Sequence, residues 1–106
     1  MIDIKYYEKI IFNKETGKER YGLIPKEAEK ICNENSLENC WDIAIECYNC
    51  DLYYIQMLGV YIFGLIGSKK ALTFLRNTVS KNNSWQVQEF LAMAFDTYCK
   101  IGRAHV

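Results

Sequence analysis

The sequence has no surplus of either charge. Thirteen basic and thirteen acidic side chains cancel, so no global field draws the chain to nucleic acid or to a membrane surface, and any binding face must be local. A secretory leader is missing as well: Met1-Ile2-Asp3-Ile4-Lys5 has no apolar h-region and no small-residue cleavage site, which sets the expectation of a cytoplasmic protein. In that reducing compartment five cysteines, Cys32, Cys40, Cys47, Cys50 and Cys99, are expected to be free thiols and not a disulfide frame. No apolar run reaches the roughly 20 residues that span a bilayer. The longest, Leu52 to Gly67, contains Gln56 and reads as a buried helix, so no membrane partner is expected. Proline occurs once, at Pro25, and β-branched alternation is scarce. With those breakers and strand signals gone, an all-α fold is expected.

Half of the 106 residues are apolar, enough for one small core and one domain. Apolar residues recur at three and four positions over most of the chain. Asp3 can cap a first helix from Ile4 to about Asn13, closed by the turn Glu15-Thr16-Gly17, and Pro25 suits the first turn of a second helix reaching about Asn33. Ser36, Ser68 and Ser84 stand as N-caps, with Asp51 as a fourth, for helices over about 37–48, 52–66, 69–80 and 85–99. That makes about six helices. An offset of 32 residues aligns Ile55-Gln56 with Val87-Gln88 and Phe63 with Phe95. A helix pair repeating at this length is what a short HEAT-like repeat looks like, because one pair cannot cover its own apolar face and must stack on a neighbour.

Charge is segregated between these helices. Residues 37–51 carry Glu38, Asp42, Glu46 and Asp51 with no base, whereas residues 69–81 carry Lys69, Lys70, Arg76 and Lys81 with no acid. The four bases fall in one sector about 140° wide, opposite Leu72, Leu75 and Val79, and form a cationic ridge.

The stretch from Met57-Leu58-Gly59-Val60-Tyr61 through Ser84-Trp85-Gln86-Val87-Gln88-Glu89-Phe90-Leu91-Ala92-Met93-Ala94-Phe95-Asp96 resembles the bacterial DNA alkylation repair family of HEAT-like repeat proteins, the AlkD-like alkylpurine DNA glycosylases. Tyr21-Gly22-Leu23-Ile24-Pro25 is similar to the segment before a proline-started helix near that family's N-terminus. The resemblance covers most of residues 20–99. It implies a helical-repeat superhelix, double-stranded DNA carrying alkylated purines as the partner, and further repeats beyond Lys100. Ile101-Gly102-Arg103-Ala104-His105-Val106 reads like one frame of a sequencing adapter. The expected organisation is therefore a partial repeat domain over 1–100 and a non-native tail over 101–106, in which His105 carries no function.

On the helix that starts at Ser84, the residues Val87, Phe90, Leu91, Ala94, Phe95 and Tyr98 form the core face. Trp85, Glu89, Ala92 and Asp96 follow the spacing 0, 4, 7, 11 and form an opposite stripe. An indole attracts a cationic alkylated base, and carboxylates stabilise the positive sugar that develops as a glycosidic bond breaks. Trp85, Glu89 and Asp96 are thus the candidate catalytic residues. The resemblance points the same way, because the family's glycosylases use tryptophans and an acid at the lesion, although their Trp-x-x-x-Asp pair lies one helix earlier, where this sequence, around Asp51 to Ile55, offers no such pair. The competing reading is structural: a tryptophan in the first turn of a repeat helix packs on the neighbouring repeat, and exposed carboxylates are solvated.

Lys69, Lys70, Arg76 and Lys81 are the candidate phosphate contacts, with Asn82, Asn83 and Gln88 as neighbouring donors. An ordinary solvated helix face and loop is the alternative. Cys47-x-x-Cys50 has the spacing of half a zinc site, but the other half is missing and Cys40 and Cys47 lie on the apolar side of their helix, so no metal is expected. No cofactor is expected either. The leading reading is a DNA-binding repeat protein that excises alkylated purines in its full-length form. The alternative is a non-enzymatic helical-repeat scaffold for a protein partner, and in either case an uncovered end of the stack invites self-association.

Overall fold

The computed structural model describes residues 2–13 and 16–101; Glu15 of the expected first turn and residues 102–106 of the expected tail lie outside them. The described residues form six α-helices in sequence order, α1 Ile4–Ile11, α2 Leu23–Glu34, α3 Leu37–Tyr48, α4 Tyr53–Ile66, α5 Lys69–Asn77 and α6 Trp85–Ile101. A 3₁₀ turn, Val79–Lys81, separates α5 from α6.

Local chemistry sets most of these boundaries. Ser36, Ser68 and Ser84 accept backbone N–H bonds from Asn39, Ala71 and Val87 at 3.1, 3.1 and 3.3 Å, and such a cap is worth about 1 kcal/mol over alanine. Asp3 caps α1 in the same way through Tyr6 N. The helix α4 differs from expectation: its N-cap is Leu52, without a side-chain bond, and Asp51 lies one residue outside. Gly67 closes α4 in the left-handed region at φ 65°, where a Cβ would be strained.

Two ends depart from simple periodicity. The first helix stops at Ile11, because Phe12–Asn13 pairs antiparallel with Lys18–Glu19 across the turn at Gly17. The helix α5 stops at Asn77, and β-branched Thr78 and Val79 pass into the 3₁₀ turn. Ser80 Oγ donates to the Arg76 carbonyl there, a side-chain bond that competes with helix continuation.

The second helices of each pair, α2, α4 and α6, pack side by side, and α3 and α5 cover α4 from outside. The helix α4 is therefore enclosed, and ten of its fourteen residues are buried. Its uniform apolarity follows from that position. Fully burying a side chain such as Phe63 or Ile62 stabilises by about 1.5–3 kcal/mol. Two glycines let the neighbours approach: a Cβ on Gly59 would lie 2.8 Å from the Ala44 carbonyl oxygen of α3, and one on Gly64 would lie 2.8 Å from the Ala94 carbonyl oxygen of α6. No helix among the described residues is long and apolar enough to cross a membrane.

Candidate functional site

The exposed stripe of α6 is present. Trp85 is 65% exposed at the first position of the helix, and Glu89, Ala92 and Asp96 are exposed below it. The opposite side, Val87, Phe90, Leu91, Ala94 and Tyr98, is buried, with Phe95 half-buried. Position 85 therefore presents its indole outward, while the core-facing positions are set by packing on α4.

The lower half of the stripe lines a cleft of about 500 Å³ between α2, α4 and α6. Ala92, Met93, Asp96, Thr97, Lys100 and Ile101 form one wall, and Glu29, Tyr61 and Leu65 form the other. Thr97 Oγ1 donates to Tyr61 Oη at 3.5 Å across it. Asp96 Oδ2 is 2.9 Å from Lys100 Nζ, both side chains largely exposed. The hydrogen bond to Asp96 holds the Lys100 ammonium above its usual range, but a solvated i,i+4 pair of this kind adds little stability. Trp85 and Glu89 lie outside the cleft lining, toward the N-terminal end of α6.

The cations are exposed at Lys69, Lys70, Arg76 and Lys81, opposite buried Leu75 and Val79. The ridge is not a single helix face, because the chain changes to 3₁₀ geometry between Arg76 and Lys81. Lys70 is engaged within the molecule, its Nζ 4.1 Å from the centroid of the Trp41 ring. Trp41 in turn meets Phe63 and Phe74 edge-on at 5.1 and 5.8 Å. Asn82 and Gln88 are also engaged: Asn82 Nδ2 donates to Tyr48 Oη at 3.0 Å, and Gln88 Nε2 donates to the Val79 and Asn82 carbonyls at 2.9 and 2.8 Å. Asn83 stands exposed beside them.

The structure thus divides the candidates into three groups. Asp96 sits in the cleft, Trp85 and Glu89 form an exposed plate and acid at the start of α6, and the cations border α5 and the 3₁₀ turn. Sequence reasoning did not single out Tyr61, Tyr48 or Trp41 as functional residues. Their partners Thr97, Asn82 and Lys70 lie 36, 34 and 29 residues away in sequence, which no local pattern signals.

The thiols sit apart from these groups. Cys40 and Cys47 are fully buried, Cys32 and Cys50 are half-buried, and Cys99 is exposed. Burial, followed by the nearby Glu46 and Cys50, pushes the Cys47 thiol up, so it keeps its proton. Glu46 is itself engaged, accepting from Ile2 N at 2.8 Å, while Glu38 and Asp42 remain exposed. Among the described residues no three cysteine, histidine or acidic side chains gather as metal ligands would.

The sequence matches no protein-family model and none of the curated proteins. Two solved structures are similar. The first, smu.31 from Streptococcus mutans UA159, superposes with a TM-score of 0.71 at 38% identity over 74% of this chain and 39% of its own. The second, AlkD2 from Streptococcus mutans, superposes with a TM-score of 0.80 at 34% identity over 92% of this chain and 46% of its own. The chain therefore spans less than half the length of either relative. With the stacked helix pairs and this agreement over nearly the whole chain, it belongs to the AlkD-like family of HEAT-like helical-repeat proteins, the DNA alkylation repair type.

Proposed function

We propose that this chain is the N-terminal portion of a cytoplasmic, DNA-binding repeat protein whose full-length form recognises and excises alkylated purines. The observation that carries the proposal is Trp85, an indole 65% exposed on the same helical stripe as the exposed carboxylates Glu89 and Asp96. An indole exposed in this way is available to a ligand that approaches the start of α6. A cationic base is what an indole face and the carboxylate one turn away, Glu89, attract together. Lys69, Arg76, Lys81 and Asn83 supply local positive charge and donors for phosphate, which a chain of zero net charge otherwise lacks. In this reading the indole holds the lesion base, and Glu89, one turn along the helix, stabilises the positive charge that grows on the sugar as the N-glycosidic bond breaks, while Asp96 lies further along the helix in the cleft.

Titration of a DNA duplex into the chain tests the binding step. The affinity falls steeply as salt rises, and Lys69→Glu combined with Arg76→Glu removes it. Excision is tested by release of alkylated bases from DNA by the whole protein. The scaffold reading has one observation of its own: Met93 and Leu37, 38% and 50% exposed, line the cleft on α6 and a second, smaller cavity beside α2. A salt-tolerant peptide complex, or a salt-tolerant association of the chain with itself through that end of the stack, would favour it over DNA.

A further inference from the structure

The short segment between the 3₁₀ turn and α6 is tied down by side chains that are engaged within the molecule. Asn82 Nδ2 donates to Tyr48 Oη of α3 at 3.0 Å, and Asn82 Oδ1 accepts from Ser84 N at 2.8 Å. The Asn82 carbonyl accepts from Gln88 Nε2 at 2.8 Å, and the same amide nitrogen donates to the Val79 carbonyl at 2.9 Å. Both amide protons of Gln88 are thereby used on main-chain oxygens just before the helix. Residues flanking this segment are the exposed Lys81 and Trp85, with exposed Asn83 inside it.

The arrangement elaborates a feature of the repeat. In the preceding helix pair Gln56 Nε2 donates to the Cys50 carbonyl at 2.8 Å, and both glutamines reach a carbonyl six residues earlier in the chain. In the first copy that bond runs back across the loop. The second adds the Val79 and Tyr48 bonds, and it is the second that carries a lysine before the loop and an exposed tryptophan after it.

We propose that Tyr48, Asn82 and Gln88 are positioning residues that hold the 82–85 segment so that Lys81, Asn83 and Trp85 meet a DNA duplex as one preformed unit. The proposal rests on the DNA-binding reading above. A loop that is ordered before binding loses little freedom when it docks, whereas a loose one must be ordered at the expense of affinity. Tyr48→Phe removes only the acceptor and keeps the ring that stacks edge-on with Phe74 at 5.5 Å. Gln88→Met keeps the length of the side chain and removes both donors.

The experiment uses the 106-residue chain, a fluorescein-labelled undamaged DNA duplex, and nuclear relaxation of the Ser84 and Trp85 amides and the Trp85 indole. Both variants keep the helical circular dichroism spectrum, lose order at Ser84 and Trp85, and bind the duplex about five- to tenfold more weakly. The slope of affinity against salt stays at the wild-type value, because no phosphate contact is removed, whereas Lys81→Ala makes it shallower. Wild-type affinity in both variants overturns the positioning role while leaving DNA binding intact. A wild-type chain that binds no duplex overturns the DNA reading, and the role assigned to these ties falls with it.

Discussion

Gly64 of α4 and Ala94 of α6 meet with no room for a methyl group between them. A Cβ at Gly64 would stand 2.8 Å from the Ala94 carbonyl oxygen and 2.9 Å from its Cα. The obstacle is main chain on both counts, so a side-chain rotation cannot relieve it. The α4–α6 seam is thus as tight here as the α3–α4 seam at Gly59.

Gly64→Ala therefore tests that seam. Alanine gains about 1 kcal/mol of helix propensity over glycine, but overpacking against main chain costs typically about 1–3 kcal/mol and here also shifts α6 away from α4. The second effect wins, and urea unfolding shows a lower midpoint. A midpoint equal to or above that of the wild type would show that the two helices separate freely.

Trp85→Ala and Glu89→Gln separate function from folding. Both side chains are exposed, and surface changes of this kind stay within about 0.5 kcal/mol of neutral. The unfolding midpoint holds, while release of alkylated bases by the whole protein falls by about a hundredfold or more for Trp85→Ala. Unchanged base release in both variants would remove this stripe from the site.

Lys70→Met distinguishes a structural cation from a binding one. The ammonium lies over the Trp41 ring at 4.1 Å, an interaction worth about 0.5–1 kcal/mol at an exposed position. The variant unfolds earlier, with altered Trp41 fluorescence, and loses less duplex affinity than Lys69→Met or Arg76→Met. An equal loss of affinity in all three would return Lys70 to the phosphate contacts.

Alkali weakens the fold through Tyr7 and Cys47. Burial first, then the charge of Glu27, raises the Tyr7 hydroxyl from 10.0 to about 12, and burial pushes the Cys47 thiol up as well. Both groups are neutral when protonated, so the unfolded chain gives up these protons first as pH rises. The stabilisation is complete below the unfolded values and is lost as pH climbs through the raised ones. For Tyr7 that window runs from 10.0 to about 12. Chemical unfolding followed across it shows a steady fall that Tyr7→Phe makes shallower. A flat profile in the wild type would contradict the assignment.

Much of the fold was legible because it depends on neighbours in sequence. Ser36, Ser68 and Ser84 cap the helices they were expected to cap, and each bond spans three residues. The aligned glutamines Gln56 and Gln88 marked the repeat, and they make the same backward bond. The ends of α1 and α5 were less legible. At Phe12 a two-residue pairing replaces helix, and after Asn77 a 3₁₀ turn does, neither of which apolar periodicity registers.

The sequence alone determined the helical periodicity, the caps, the apolar helix at the centre and the outward stripe of Trp85, Glu89, Ala92 and Asp96, since all of these follow from the order of side chains along one helix. Only the tertiary structure decided which stripe residues reach a cleft and which cations are already engaged. Asp96 faces Tyr61 and Leu65 of α4 because α4 and α6 pack closely at Gly64 and Ala94. Lys70 lies on Trp41, and Asn82 on Tyr48, because α5 folds back over α3. Those contacts join residues about thirty apart, and a side chain's availability to a ligand is settled by what else lies within reach of it.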